Sequence, residues 1–123
     1  MTGYDKHYAK YLMFKKDAEN EDISIPLRIE AYFYAAFHLI EAVVARHGMH
    51  IEKHQKVRRV LESSPSIFKD KTETLWRSFL EIENQIRPAQ IYGGAINGKR
   101  LEKTRELFDL IEDICGVYCR DTR

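Results

Sequence analysis

The sequence predicts an all-α protein, a bundle of four or five helices, on three observations. Apolar residues recur at spacings of three and four throughout, and no stretch alternates with period two for long enough to argue for a sheet. Residues 28–47 carry a long apolar run rich in aromatics and alanine. A run that is apolar nearly all round cannot lie on a surface, because it would leave hydrophobic area in water at roughly 25 cal/mol per Å². It is therefore the central helix of the bundle. Breaks at Gly48, at Ser64-Pro65 and across 93–98 then cut the remaining pattern into helical lengths.

The first helix is expected over about 5–20, with Tyr8, Tyr11, Leu12 and the aliphatic stem of Lys15 on one side. The polar cluster 19–22 ends it. Ser24 is the expected N-cap of the second, central helix, with Pro26 tolerated in its first turn; the helix runs to about His47 and Gly48 stops it. A shorter third helix fits 51–63, turning Val57, Val60 and Leu61 inward and Lys53, Lys56, Arg58 and Arg59 outward or sideways. After the break at Ser64-Pro65, the pattern Phe68, Leu75, Phe79, Ile82, Ile86 describes a fourth helix over about 66–91, with Trp76 and Leu80 widening its apolar face and Pro88 kinking or ending it. The loop 93–98 follows, and Asn97 is placed to cap a last helix over about 98–119 whose stripe is Leu101, Phe108, Ile111, Ile114 and Cys115.

Composition bounds the function classes. The chain has 123 residues, 44% hydrophobic and 32% charged, which reads as one ordinary globular domain able to bury a core without disulfides. Twenty Lys plus Arg against nineteen Asp plus Glu leave a net charge of +1, so no global field draws it to nucleic acid and any basic patch is local. No segment reaches the roughly 20 apolar residues of a membrane span, and the N-terminal residues lack the apolar core of a signal peptide, so the expected compartment is the cytoplasm. Cys115 and Cys119 stand one helical turn apart, where intrahelical bridging is poor, and are expected as reduced thiols in or near the core.

Several constellations could carry chemistry. His47, His50 and His54 fall within eight residues, the density of a metal site, but their spacing matches no zinc pattern and no CxxC accompanies them. They read as surface or loop histidines that cap the second helix or meet a partner, and neither metal nor cofactor is expected. His38, one turn before Glu41 inside the central helix, reads as a core histidine bonded to a carboxylate or backbone group, with general acid/base chemistry as the alternative. Lys53, Lys56, Arg58 and Arg59 form the densest positive run; solvated helix faces explain them, and phosphate contact is the sharper reading. Arg87 sits near a helix end with Tyr92 following, either as a guanidinium aimed at a site beside the break or in an ion pair with Glu83.

The run AYFYAAFHLIEAVVARHGMHIEKHQKVRRVL resembles the core of HEPN domains, especially small prokaryotic HEPN-like proteins with a tyrosine-rich "YYAAFH" helix, a glycine-containing turn and a "K-x-H-x-x-V" segment. IRPAQIYGG is similar to a later segment of the same group, and together the likeness spans roughly residues 28–110. It implies antiparallel helices, a homodimer with its groove between protomers, and contact with nucleotide, RNA or a nucleotidyltransferase partner of the toxin–antitoxin type. Ribonuclease members of the family place a histidine four to six residues after an arginine. Arg87 matches that arginine, but Tyr92 stands where the histidine belongs and no histidine follows His54. A phenol with a pKa of about 10 is a poor proton carrier at neutral pH. The reading is thus a noncatalytic HEPN-like binding protein, its ligand-binding residues Lys53, His54, Arg58, Arg59, Arg87 and Tyr92. The alternatives are a metal-independent endoribonuclease toxin using Arg87 with Tyr92 or a displaced histidine, and a plain dimerisation module.

Overall fold

The computed structural model describes residues 3–86 and 98–120. Five α-helices form an all-α bundle, with no strand among the described residues: α1 (Gly3–Ala18), α2 (Ile25–Arg46), α3 (Val57–Ser63), α4 (Thr72–Glu81) and α5 (Gly98–Arg120). Short 3-10 turns at His54–Lys56 and Lys69–Lys71 lead into α3 and α4, and a π turn, Ile82–Ile86, continues α4. Arg87, Pro88, Tyr92, the glycines of the 93–98 loop before Gly98, and Asn97 lie outside the described residues.

α2 is the hub. Ile29, Phe33, Ala35, Ala36, Ile40, Ala42, Val43 and Val44 have no exposed surface at all and cover about half of the helix circumference, while Leu27 on the opposite side is exposed. α1 runs antiparallel to it: Tyr4 lies under the Arg46 guanidinium, His7 meets His38 and Glu41, Phe14 packs on Tyr34, and Ala18 meets Arg28. α5 covers another side, with Phe108 against Tyr32 and the Arg46 guanidinium reaching the Tyr118 carbonyl at 3.2 Å. α4 closes a third through Phe79, which stacks on Phe33 at 5.1 Å between ring centroids.

The ends of α2 follow the sequence. The backbone of Ser24 is extended and its carbonyl accepts the Arg28 N–H at 2.9 Å, with Pro26 in the first turn; the Ser24 hydroxyl makes no capping bond. Gly48 takes φ +75°, the left-handed conformation that ends a helix cheaply only for glycine. The Arg28 guanidinium, itself buried, donates from Nε to the Ala18 carbonyl at 2.8 Å, so the start of α2 supplies a partner to the open carbonyl end of α1.

Three expectations need correction. α1 presents His7, Tyr11, Phe14 and Ala18 to the bundle, so Leu12 is 48% exposed and does not belong to the stripe. The third helix starts at Val57, because 51–56 are spent on a connector whose Ile51 plugs the core while the chain changes direction. The fourth is a composite of 3-10 turn, α-helix and π turn, although Phe68, Leu75, Trp76, Phe79, Ile82 and Ile86 are all buried as their spacing requires. In α5 the expected stripe is buried, joined by Leu107 and Thr104, whose hydroxyl returns to the Arg100 carbonyl at 2.8 Å. Cys115 is buried and Cys119 partly so, with no disulfide between them.

Because Phe33 touches Phe79, Tyr34 and the His54 ring at full burial, Phe33→Ala is expected to cost about 3–5 kcal/mol in urea denaturation. Leu27→Ala on the 62% exposed outer edge of the same helix should cost less than about 0.5 kcal/mol.

Candidate functional site

The connector between α2 and α3 sends its three histidines to three different places. His47 stays on the end of α2, its Nδ1 3.1 Å from the Val43 carbonyl, which satisfies an open carbonyl of the last turn. His50 is exposed and turns back toward α1 and α2, with Nδ1 3.8 Å from Glu41 Oε1. His54 points the other way, toward the π turn.

His54 is the anchor of the residues expected from the sequence. Its ring stands edge-on to Phe33 and Phe37, with centroids at 5.1 and 6.1 Å, and its Nδ1 is bonded to Glu83 Oε2. Glu83 is buried on the π turn, where the widened backbone turns a carboxylate inward from a helix whose neighbouring positions are apolar. The result is an imidazole oriented by a carboxylate and supported by two aromatic rings, the arrangement that fixes which ring nitrogen carries the proton. In the sequence Glu83 stands out only as a partner for Arg87; its bond to His54 joins residues 29 apart and leaves no local signal.

Of the basic residues beside it, Lys53 and Arg59 are exposed and make no ion pair with any described residue. Lys56 lies 3.8 Å from Glu52. Arg58 is engaged twice over, with Nε 3.3 Å from Glu62 and its guanidinium 4.0 Å above the Trp76 ring, so it lies along α4. Arg87 and Tyr92, the other two residues singled out, lie outside the described residues.

A second polar cluster lies where α1 crosses the C-terminal half of α2. His7 Nδ1 is 3.0 Å from His38 Nδ1 and 3.2 Å from Glu41 Oε2, while His38 Nδ1 is 3.6 Å from the same oxygen. The two imidazoles stack, and Phe14 stacks on the far face of His38. The hydrogen-bond partner of His38 is thus the His7 ring, in place of the carboxylate or backbone group expected from the sequence; the Glu41 carboxylate one turn on is within ion-pair range at 3.6 Å but beyond hydrogen-bond length. Glu41 is 3% exposed, and its Oε1 has no hydrogen-bond partner of normal geometry among the described residues. Burial pushes the Glu41 carboxyl up to about 7, against the opposing influence of His50 and of the Ile51 backbone N–H. Burial also lowers His38 to about 4, helped by His7, and lowers His7, helped by Lys10. All of these shifts favour the neutral forms, as desolvation demands. His7, Glu41 and His50 bring one donor atom each within 4.8 Å of one another, the geometry of groups able to share a cation. His7 carried no signal in the sequence, because it meets Glu41 only through the crossing of two helices.

No protein-family model matches the chain, and no curated protein or solved structure matches it either. No described helix is long and apolar enough to cross a membrane.

The His54–Glu83 bond should appear as a coupling energy. In a double-mutant cycle with His54→Ala and Glu83→Ala, followed by urea denaturation, a coupling of about 1–3 kcal/mol is expected. A coupling near zero would show that the two side chains do not hold one another.

Proposed function

We propose that this chain is a HEPN-like binding module that recognises a phosphate-bearing ligand, RNA or nucleotide, without cutting it, as a homodimer or beside a nucleotidyltransferase partner. The observation that carries the reading is His54, held by Glu83 against Phe33 and Phe37, with exposed Lys53 and Arg59 in the same connector and α3. An imidazole held in place beside cations that make no ion pair with any described residue suits a phosphate, and the aromatic rings against the imidazole keep it from swinging away. The motif arginine, Arg87, follows Glu83 by four residues in the chain, and the motif histidine is replaced by Tyr92. A phenol in that position supports recognition better than proton transfer.

One observation favours a second reading. The carboxylate-oriented imidazole of His54 is a displaced histidine with the features of an acid/base group, so a metal-independent endoribonuclease acting through Arg87 and His54 is the alternative. The two readings separate in a single assay. Purified protein incubated with total RNA in EDTA is expected to leave it intact. Degradation that disappears in both Arg87→Ala and His54→Ala would replace binding by cleavage.

Binding itself is tested by fluorescence anisotropy with a labelled single-stranded RNA across a salt series. Lys53→Ala with Arg59→Ala is expected to weaken binding and to reduce the slope of log K against log salt by about 1–2, because each cation removed leaves one phosphate that keeps its counterion. Salt-independent or absent binding would leave only a dimerisation module.

A further inference from the structure

We propose that His7, Glu41 and His50 form a binding site for a borderline transition-metal ion of the zinc type, open to solvent on the His50 side. The three residues come from α1, α2 and the connector after α2, and their donor atoms all lie within 4.8 Å of one another. A tetrahedral ion with bonds of about 2.0–2.2 Å requires donors about 3.3–3.6 Å apart. His7 Nδ1 lies 3.2 Å from Glu41 Oε2 and His50 Nδ1 3.8 Å from Glu41 Oε1, so each imidazole approaches the carboxylate near that spacing, through a different oxygen, and a small closure of His50 completes the set.

The second, independent observation is the state of Glu41. It is 3% exposed and the Ile51 backbone N–H acts on the carboxylate, yet Oε1 itself has no hydrogen-bond partner among the described residues and faces His50 at a distance too long for one. A buried oxygen without a partner costs about 1–3 kcal/mol. A cation held between this oxygen and the two imidazoles removes that deficit. The donor chemistry selects the ion: two nitrogens and one carboxylate suit zinc, whereas calcium and magnesium take oxygen sets.

The packing around the site has the form of a supporting shell. His38 stacks on His7, and Phe14 stacks on His38, so the His7 ring is oriented before any ion arrives. His38 Nδ1 lies 3.0 Å from that of His7, so an ion bound at His7 Nδ1 replaces this hydrogen bond and leaves His38 as the stacked support of the ligand ring. The opposing influence is Lys10, whose exposed ammonium acts on His7, His38 and Glu41 alike and is screened by salt. On the outer side, the 68% exposed His50 side chain leaves room for water as the remaining ligand. An ion here also ties the connector after Gly48 to the α1–α2 pair, the same connector that continues to Lys53 and His54.

The test uses the tag-free full chain, stripped with EDTA, desalted and titrated with zinc chloride in a calorimeter. One zinc per chain is expected, with a rise in Tm on saturation because the folded arrangement alone holds the three donors together. His50→Ala, whose side chain projects into solvent, and Glu41→Gln, which keeps its shape, are each expected to weaken binding more than about 100-fold; even an outer-shell partner is worth about 10–100-fold. Circular dichroism confirms that both variants fold. His47→Ala, whose imidazole is engaged with the Val43 carbonyl, should bind zinc like the wild type. Cobalt substituted for zinc should show visible bands without the strong near-ultraviolet absorption of a thiolate, which distinguishes this site from Cys119. The proposal is overturned if no stoichiometric zinc is taken up, if His50→Ala binds as tightly as the wild type, or if the cobalt spectrum reports sulfur.

Discussion

The structure depends on burying α2 over most of its length and circumference. Its aromatic and aliphatic residues leave only an edge around Leu27 to water, so α1, α4 and α5 must each supply a complementary apolar surface. Aromatic rings provide much of it: Tyr34 meets Phe14, Tyr32 meets Phe108, and Phe33 meets Phe79. Broad, flat side chains cover large area at little conformational entropy.

The same burial explains where the polar chemistry sits. A helix that is enclosed over most of its surface carries polar residues inward with it, and each must find a partner or carry a desolvation cost. Arg28 finds the carbonyl end of α1, a strong bond that also fixes the turn between the two helices. His38 finds His7. Two buried side-chain atoms among the described residues find no hydrogen-bond partner, Arg46 Nε and Glu41 Oε1: Glu41 Oε2 lies 3.2 Å from His7 while Oε1 sees His50 only at 3.8 Å, and the carboxyl is driven toward its neutral form. A buried carboxyl kept in such a state marks a place where packing alone does not account for the side chain.

Much of the fold was legible in the residues themselves. The spacing of Phe68, Leu75, Phe79, Ile82 and Ile86 identified the inward face of the fourth segment even though three kinds of helical turn contribute to it, because burial follows the side-chain direction and tolerates a local change in pitch. Gly48 marked its helix end through its conformational freedom. Leu12 misled, since apolar character alone does not set the rotation of a helix; the crossing with α2 chose the face bearing His7, Tyr11, Phe14 and Ala18 instead. The three histidines of the connector looked like one cluster because they are close in sequence, yet a chain that reverses direction within a few residues projects them to separate neighbours.

By itself the sequence determined the helical class, the central position of α2, the stop at Gly48 and most of the buried stripe, because these follow from local periodicity and from the cost of exposing apolar surface. Only the tertiary structure decided the pairings that carry chemistry. His54 with Glu83, and His7 with His38, Glu41 and His50, are contacts between elements remote along the chain, and their geometry is set by how helices cross and how a connector turns. Residue spacing carries no record of either.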